Sequence, residues 1–299
     1  VTRSGTVARG TWWRGLCSMR MVMSSKEGEV KKVCVECGQR YNGRGESYCS
    51  RACSNKHRRV QERKNRKTYR VWSCGGGVQS TAIAALIVKG EIEKPDYAVM
   101  VDTGFEKTRV MDYVRKVLVP KLSEVGVTLN IIQTADYADQ YLVDPSGFCI
   151  IPVFKKRKDG IKKMKTACND KWKVQVIRKW LLAKGVEQYV SVIGIGAEEQ
   201  HRQRKAHKKY YKNTYPLIDL GMDRDACIEY ITKVAGWPEP IRSSCLICGQ
   251  QDDGEWWRMA MIDKADFQKA VAIEKTLQQT DPSIFLHRSC KPLEDAFRL

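Results

Sequence analysis

Three groups of residues in this 299-residue chain have the type and spacing for chemistry. The first is Cys34-x2-Cys37, an 11-residue spacer, then Cys49-x3-Cys53. Two close thiol pairs match what tetrahedral zinc requires, because each pair chelates one side of the ion and the spacer is long enough for a hairpin. Gly38 suits a tight metal knuckle, and Gly43 and Gly45 suit the hairpin turn. The alternative use of the same residues is as free or redox thiols. A closed four-thiolate site stabilises a fold and leaves catalysis to other groups.

The second group is Ser73-Cys74-Gly75-Gly76-Gly77-Val78-Gln79-Ser80. It follows a strand pattern, TYRVWS over 68–73, and leads into an apolar run, TAIAALIVKG, that reads as a helix ending near Gly90. Strand, glycine-rich turn and helix N-terminus form an anion site, since glycines let amides approach a phosphate and the helix dipole favours negative charge. There is no Gly-Lys-Ser/Thr, which excludes a Walker loop, and G-x-G-x-x-G is not satisfied. A second apolar strand in KPDYAVMVDTGFE (94–106) ends at Asp102-Thr103-Gly104-Phe105-Glu106. Further alternation follows in TLNIIQT (128–134), a helical run around 170–184 and YVSVIGIG (189–196). That order predicts an α/β, doubly wound, mostly parallel sheet in which both loops meet at the C-terminal ends of strands.

The third group is Cys168 with Cys245-Leu-Ile-Cys248, 77 positions later and ahead of a helical DDGEWWRMAMI. Three thiolates in this pattern suit an iron–sulfur cluster, a zinc ion or a plain buried thiol set. Cys74, Cys149 and Cys227 carry no base signature, and His201, His207 and His287 have no assigned role.

The four-cysteine segment, with its Tyr-Cys-Ser-x-x-Cys second half, resembles the treble-clef-like fingers fused to phage and bacterial nucleic-acid enzymes. Gly75 to Ser80 resembles the pyrophosphate loop (S-G-G-x-x-S) of the ATP pyrophosphatase and phosphoadenylylsulfate (PAPS) reductase superfamily, whose fold is the adenine nucleotide alpha hydrolase-like one. Gly75 stands for the usual first Ser, and Gln79 stands where the amide-forming synthetases carry Asp, as in the PAPS reductase branch. Asp102-Thr103-Gly104 resembles the reductases' motif beside the adenosine. The third group resembles the Cys-Cys and later Cys-x-x-Cys of adenylylsulfate (APS) reductases, with Ala167 replacing one thiol. Three thiolates could still hold a four-iron cluster with one iron open, as in the tRNA-thiolating branch, or take a fourth ligand from elsewhere. Cys168-x2-Lys171-x-Lys173, IGIGAEEQHRQRK, YPLIDLGMDRDACIEYI, SSCLIC and FLHRSCKPLEDA run in the same order as in phage PAPS reductase-like proteins, so the resemblance covers 68–299.

What the resemblance implies is an adenine-nucleotide-dependent enzyme. ATP, or PAPS or APS, would lie with its phosphates on Ser73 and Gly75, Gly76, Gly77, Val78, Gln79 and Ser80, and its adenosine beside Asp102, Thr103, Gly104 and Phe105. The reading it favours is adenylation of a nucleic-acid or small-molecule substrate for sulfur transfer, with a 4Fe-4S cluster on Cys168, Cys245 and Cys248. Lys171 and Arg202 are the catalytic cations, usually with Mg²⁺, and a sulfur-donor protein is a partner. The alternative is sulfonucleotide reduction by a thiol reductant. Its candidate nucleophile is Cys290, which sits in FLHRSCKPLEDAFRL rather than in the family's Glu-Cys-Gly-Leu-His tail. A second alternative is a zinc-finger nucleic-acid-binding protein whose nucleotide site is inactive.

Composition says where such partners would bind. The chain has 53 Lys/Arg against 34 Asp/Glu, a formal charge of +19, and residues 1–70 hold 18 of the former and 5 of the latter, +13 of that excess. A hydrophobic share of 42% excludes a disordered polycation. No run approaches the roughly 20 apolar residues of a membrane span, so no membrane partner is expected. Twelve cysteines are about 4% of the chain, below the density of disulfide scaffolds. Their short spacings suggest metal rather than disulfide in a reducing compartment, and the resemblance implies the bacterial or phage-infected host cytoplasm. The expected organisation is a disordered or mis-started leader (1–30, with Trp12-Trp13 and Met19, Met21 and Met23), a zinc finger (31–56), a basic linker (57–67) and a catalytic domain (68–299). DNA or RNA would be held by residues 31–70, where Lys56 to Arg70 is dense in Lys/Arg. Two further basic runs, 155–165 and 201–212, are expected as loops that meet a phosphorylated ligand.

Overall fold

A computed structural model describes residues 32–42, 47–64, 66–204 and 211–297. The expected leader, Gly43, Gly45 and His207 lie outside the described residues. The chain divides into two compact units, Val1–Arg66 and Lys67–Leu299.

In the first unit a minimal hairpin, β1 (Lys32–Val33) and β2 (Arg40–Tyr41), frames the first cysteine pair. Its turn closes through Gly38 N to Cys34 O at 2.9 Å, with Gly38 in the left-handed region (φ 72°). Helix α1 (Arg51–Lys64) starts beside the second pair, and Ser50 Oγ accepts from Cys53 N at 3.2 Å, an N-cap geometry. The helix runs through the expected finger–linker boundary at 56/57, so the basic segment continues the element that carries Cys53. Glu36 pairs with Lys56 at 2.9 Å and His57 at 3.4 Å, tying helix to knuckle.

The second unit is built on five parallel strands: β3 (Thr68–Cys74), β4 (Tyr97–Asp102), β5 (Leu129–Gln133), β8 (Gln188–Val192) and β9 (Tyr211–Thr214), in the order β5-β4-β3-β8-β9. Strands such as Tyr97–Asp102 are apolar almost throughout because both sheet faces are covered. Trp72 and Met100 pack on one face against α2 (Val78–Lys89) and helix 108–124, whereas Val71 and Val99 pack on the other against helix 169–183. The sheet therefore has the expected α/β, mostly parallel, doubly covered form. The chain steps outward from β3 to β4 and β5, then crosses to β8 and β9 on the other side of β3. The reversal opens a crevice at the C-terminal end of β3, where the glycine loop emerges.

A separate apolar core joins Ile150, Ile151 and Val153 to Trp172, Leu246, Ile247 and helices Asp253–Met261 and Lys264–Thr280. On its edge β6 (Phe154–Arg157) and β7 (Gly160–Lys163) form an antiparallel hairpin, flanked by β10 (Ile284–Phe285). This corrects the loop expected over 155–165. The two-residue turn Lys158-Asp159 between short strands closes a ribbon that lysine density hid from the sequence pattern. Of the other basic run, residues 201–204 end a 3₁₀ turn (Ala197–Arg202), 211–212 open β9, and 205–210 lie outside the described residues.

Candidate functional site

The four cysteines of the first unit converge. Their sulfurs all lie within 4.8 Å of one another, with Cys37–Cys49 and Cys49–Cys53 at 3.5 Å. A zinc ion with bonds of about 2.3 Å would place its ligands at that spacing. The set behaves as thiols sharing protons: Cys34 is lowered to about 6, by backbone donors that outweigh burial, while its neighbours hold Cys49 up at about 12. Four sulfurs within 4.8 Å of one another form a donor set that fits a metal ion.

In the second unit, the glycine loop leaves β3 and enters α2. Gly76 has φ 70°, and a Cβ there would stand 2.9 Å from Val110 Cγ1 and 3.1 Å from Val114 Cγ2. A Cβ on Gly77 would meet Ser243 Oγ at 2.5 Å. Gly75 is different, with only Ser80 Oγ at 3.5 Å from its virtual Cβ. A Ser fits at that position, which explains why Gly75 can replace one without changing the loop. Ser80 Oγ accepts from Gly75 N at 2.9 Å and closes the turn.

The N-terminus of α2 carries no side-chain cap and no acidic residue in its first turn. Its first i→i−4 bond is Thr81 N to Gly77 O at 2.8 Å. The amides of Val78, Gln79 and Ser80 are thus the helix's orphan donors. Ser243 crowds the loop from one side, and Gly194, after β8, lies with its virtual Cβ 3.4 Å from Ser80 N. The result is a cradle of amides at a helix N-terminus, suited to an anion.

The loop after β4 stands beside it. Asp102 Oδ1 accepts from Gly104 N at 2.8 Å, and Oδ2 from Gln133 Nε2 at 3.2 Å, which fixes the carboxylate at the strand end. Thr103 Oγ1 donates to Glu106 Oε1 at 3.3 Å and lies 3.6 Å from Cys245 Sγ. Phe105 stacks on Trp172 with centroids 5.7 Å apart, and its carbonyl accepts from Leu246 N at 2.7 Å. Glu106 pairs with Cys245 in an isolated β-bridge. The Asp102–Glu106 loop and the Cys245–Cys248 loop are therefore stitched together.

The third cysteine group occupies one neighbourhood. Cys168 hangs from Ile150 O through its own amide at 3.1 Å, and Gly249, after Cys248, bonds Pro152 O at 3.2 Å. Burial pushes Cys248 up, and Cys168 acts on it electrostatically in the same direction. Burial and the Glu106 charge push Cys245 up to about 12. Among the described residues the four finger cysteines are the one set gathered within 4.8 Å, so these three sulfurs stand further apart than a single ion requires. A multi-iron cluster spaces its thiolates more widely than one ion does, and Cys168 and Cys245 at the edge of an apolar core, with Cys248 near Cys168, fit such a group.

Two lysines face them. Lys173 Nζ is 2.8 Å from Glu106 Oε1, and Lys107, 3% exposed, reaches Glu255 Oε2 at 2.5 Å. Burial works against the Lys173 charge, but Glu106 and the thiols hold its pKa above the ordinary lysine range. Lys107 was not singled out by sequence reasoning, and Ser243 and Gly194 entered only within SSCLIC and IGIGAEEQHRQRK, without a role of their own. Nothing in a lone lysine, a serine or a glycine marks it before the fold brings it to the loop.

The three catalytic candidates lie apart. Lys171 Nζ faces Asp144 Oδ2 at 3.5 Å, Arg202 pairs with Glu199, and Cys290, buried, bonds His287 O at 3.0 Å through its amide. Burial raises the Cys290 thiol pKa, and its backbone has φ 51°. Among the described residues none of the three makes a hydrogen bond or ion pair to the glycine loop.

No helix among the described residues is long and apolar enough to cross a membrane. No protein-family model matches the sequence, and no curated protein matches it. Among solved structures, the chain is similar to the U34-tRNA thiolase NcsA from Methanococcus maripaludis with its [4Fe-4S] cluster, at 15% identity and a TM-score of 0.37, over 85% of this chain and 83% of that one.

Proposed function

We propose that the second unit is an adenine-nucleotide-dependent enzyme of the PP-loop, PAPS reductase-like kind that adenylates a nucleic-acid or small-molecule substrate for sulfur transfer. The observation that carries this reading is the uncapped N-terminus of α2, joined to a glycine turn at the sheet's reversal point. The amides of Val78 to Ser80 would hold the β- and γ-phosphates. A substrate oxygen would attack the α-phosphorus, pyrophosphate would leave with the β–γ charge, and the oxygen would become an AMP ester. Asp102 and Gly104 would border the adenosine, with Phe105 fixed behind them against Trp172. A sulfur nucleophile would then displace AMP.

Cys168, Cys245 and Cys248 would hold an iron–sulfur cluster, which when bound supplies a sulfur-delivering site. Lys173 and Lys107 would balance the negative charge that three thiolates add. Cys34, Cys37, Cys49 and Cys53 would hold zinc, and the first unit would grip nucleic acid through the cations of α1. Sulfonucleotide reduction is less well supported, because Cys290 is a buried thiol anchored at His287.

Anaerobic purification with visible absorption and metal analysis tests the cofactor half. About one zinc and four irons per chain is the expected result. Two zincs without iron would remove the sulfur-delivery step.

A further inference from the structure

The β6–β7 hairpin buries little, and every residue of β7 is exposed. Its register places Lys155 opposite Lys162, two like charges directly across the strands, an arrangement that costs stability. Lys156 and Lys163 share one face and Lys155, Arg157 and Lys162 the other, so both sides of the ribbon are cationic. Lys155 is neutralised by Asp281 at 2.6 Å and Lys162 by Asp159 at 3.6 Å. Lys156, Arg157, Lys158, Lys163 and Lys165 have no acidic partner among the described residues. A hairpin guards an exposed edge with charged side chains, lysine above all. Seven Lys/Arg against one acid in 155–165 exceeds that need.

The ribbon also has a fixed root. Met164 N, just after β7, bonds Val153 O, just before β6, at 2.9 Å, and Ala167 N and Cys168 N both bond Ile150 O in the segment that leads into β6. Gly249 N bonds Pro152 O, so both cysteine segments are stitched to the ribbon's base. The base of the ribbon is therefore fixed to the segments that carry Cys168 and Cys248.

We propose that the β6–β7 ribbon is a duplex-DNA arm, which tracks the phosphate backbone and holds it next to the second cysteine set. This rests on the nucleic-acid reading of the substrate given above. Free cations on both faces match a groove with phosphates on both walls. Strand β10 pairs with Phe154 and Lys155 only, so beyond them the ribbon is two-stranded, and a two-stranded ribbon enters the B-form major groove, about 12 Å wide, whereas the A-form major groove of RNA is too narrow for it. The ribbon's exposed side chains are cations, Asp159 in the turn and Ile161, without an aromatic platform for unstacked bases.

The test uses the full chain, purified anaerobically, and a labelled mixed-sequence DNA duplex whose binding is followed by fluorescence anisotropy across a range of potassium chloride concentrations. The variant is Lys156→Ala/Arg157→Ala/Lys158→Ala/Lys163→Ala, with Lys116→Ala/Lys121→Ala/Lys233→Ala as a control that removes surface charge elsewhere. The expected result is that the ribbon variant binds at least about tenfold more weakly and loses about 2 to 4 units of the slope of log K against log salt, while the control keeps its slope. Its thermal midpoint should equal or exceed that of the wild type, since like charges have been removed. An unchanged slope, an equal loss in the control, or tighter ribbon-dependent binding of duplex RNA or single strands would overturn the proposal. Ribbon-dependent DNA binding without AMP formation would leave the arm standing and sink adenylation. AMP formation with an unaltered slope would do the reverse.

Discussion

Lys173 Nζ donates to Glu106 Oε1 at 2.8 Å, and Cys245 Sγ lies 3.6 Å from the same oxygen. One carboxylate therefore couples the loop after β4, the helix after Cys168 and the Cys245–Cys248 loop. Glu106 is 8% exposed, so it is placed there by the fold and held by the pair rather than by water.

Glu106→Gln keeps the shape and removes the charge, leaving the Lys173 ammonium without its partner. Losing one member of a buried pair costs about 3–5 kcal/mol, and the partial exposure of Lys173 reduces this to about 1–3 kcal/mol. Glu106→Gln/Lys173→Met should recover part of the loss in chemical denaturation. Both variants should also retain less iron on anaerobic purification, because the loop carrying Cys245 is no longer pinned.

The glycines of the loop should separate by position. Gly76→Ala forces a side chain into the left-handed region and against Val110, at about 1–2 kcal/mol for the backbone and more for the crowding. Gly77→Ala meets the rotatable Ser243 hydroxyl and, at 3.2 Å, Ser243 Cβ, but needs no left-handed backbone, so it should cost less stability than Gly76→Ala while still blocking the amide cradle. Gly75→Ser should be tolerated in both respects. Differential scanning fluorimetry with and without ATP distinguishes the three.

Zinc removal should act on the first unit alone. A zinc chelator should lower the helical circular dichroism that α1 contributes and weaken polynucleotide binding, and Cys37→Ser should do the same without chelator. The thermal midpoint of the second unit should not move.

Asp281 gives a pH signature. Hydrogen bonds from Lys155 and Ser283 lower its pKa to about 2, below the unfolded value of 3.8. A carboxylate with a depressed folded pKa adds stability above the unfolded value and loses it as pH falls through the folded one. Stability should therefore decline between pH 3.8 and about 2. Asp281→Asn should flatten that limb and loosen the root of the basic ribbon, which a loss of hydrogen-exchange protection at Phe154 and Lys155 would report.

Much of this architecture was legible in the sequence because its signals are local. The strand at 68–74, the glycine turn and the helix ending at Gly90 follow from residue type within a short window. Indeed Gly90 is the left-handed cap, with its amide bonded to Ile87 O. The two strands of the basic ribbon were not legible, since FKKR and GIKK offer neither an apolar alternation nor a buried face. Ser243 against Gly77 and Lys107 against Glu255 depend on segments about 150 positions apart, and only the folded sheet brings them together. For Cys290, the candidate nucleophile of the alternative reading, the sequence shows its place in FLHRSCKPLEDAFRL but not its burial or its amide bond to His287 O, which depend on the fold.

The central claim is chemical, and the products of ATP decide it. Anaerobically purified full-length protein should be incubated with Mg²⁺, duplex DNA and ATP labelled in the α-phosphate, with a parallel reaction labelled in the γ-phosphate. Adenylation predicts labelled AMP, free or on the DNA, and labelled pyrophosphate in equal amounts, both lost in Gly76→Ala. Labelled ADP with inorganic phosphate, or no turnover with any polynucleotide or small-molecule acceptor, would contradict it.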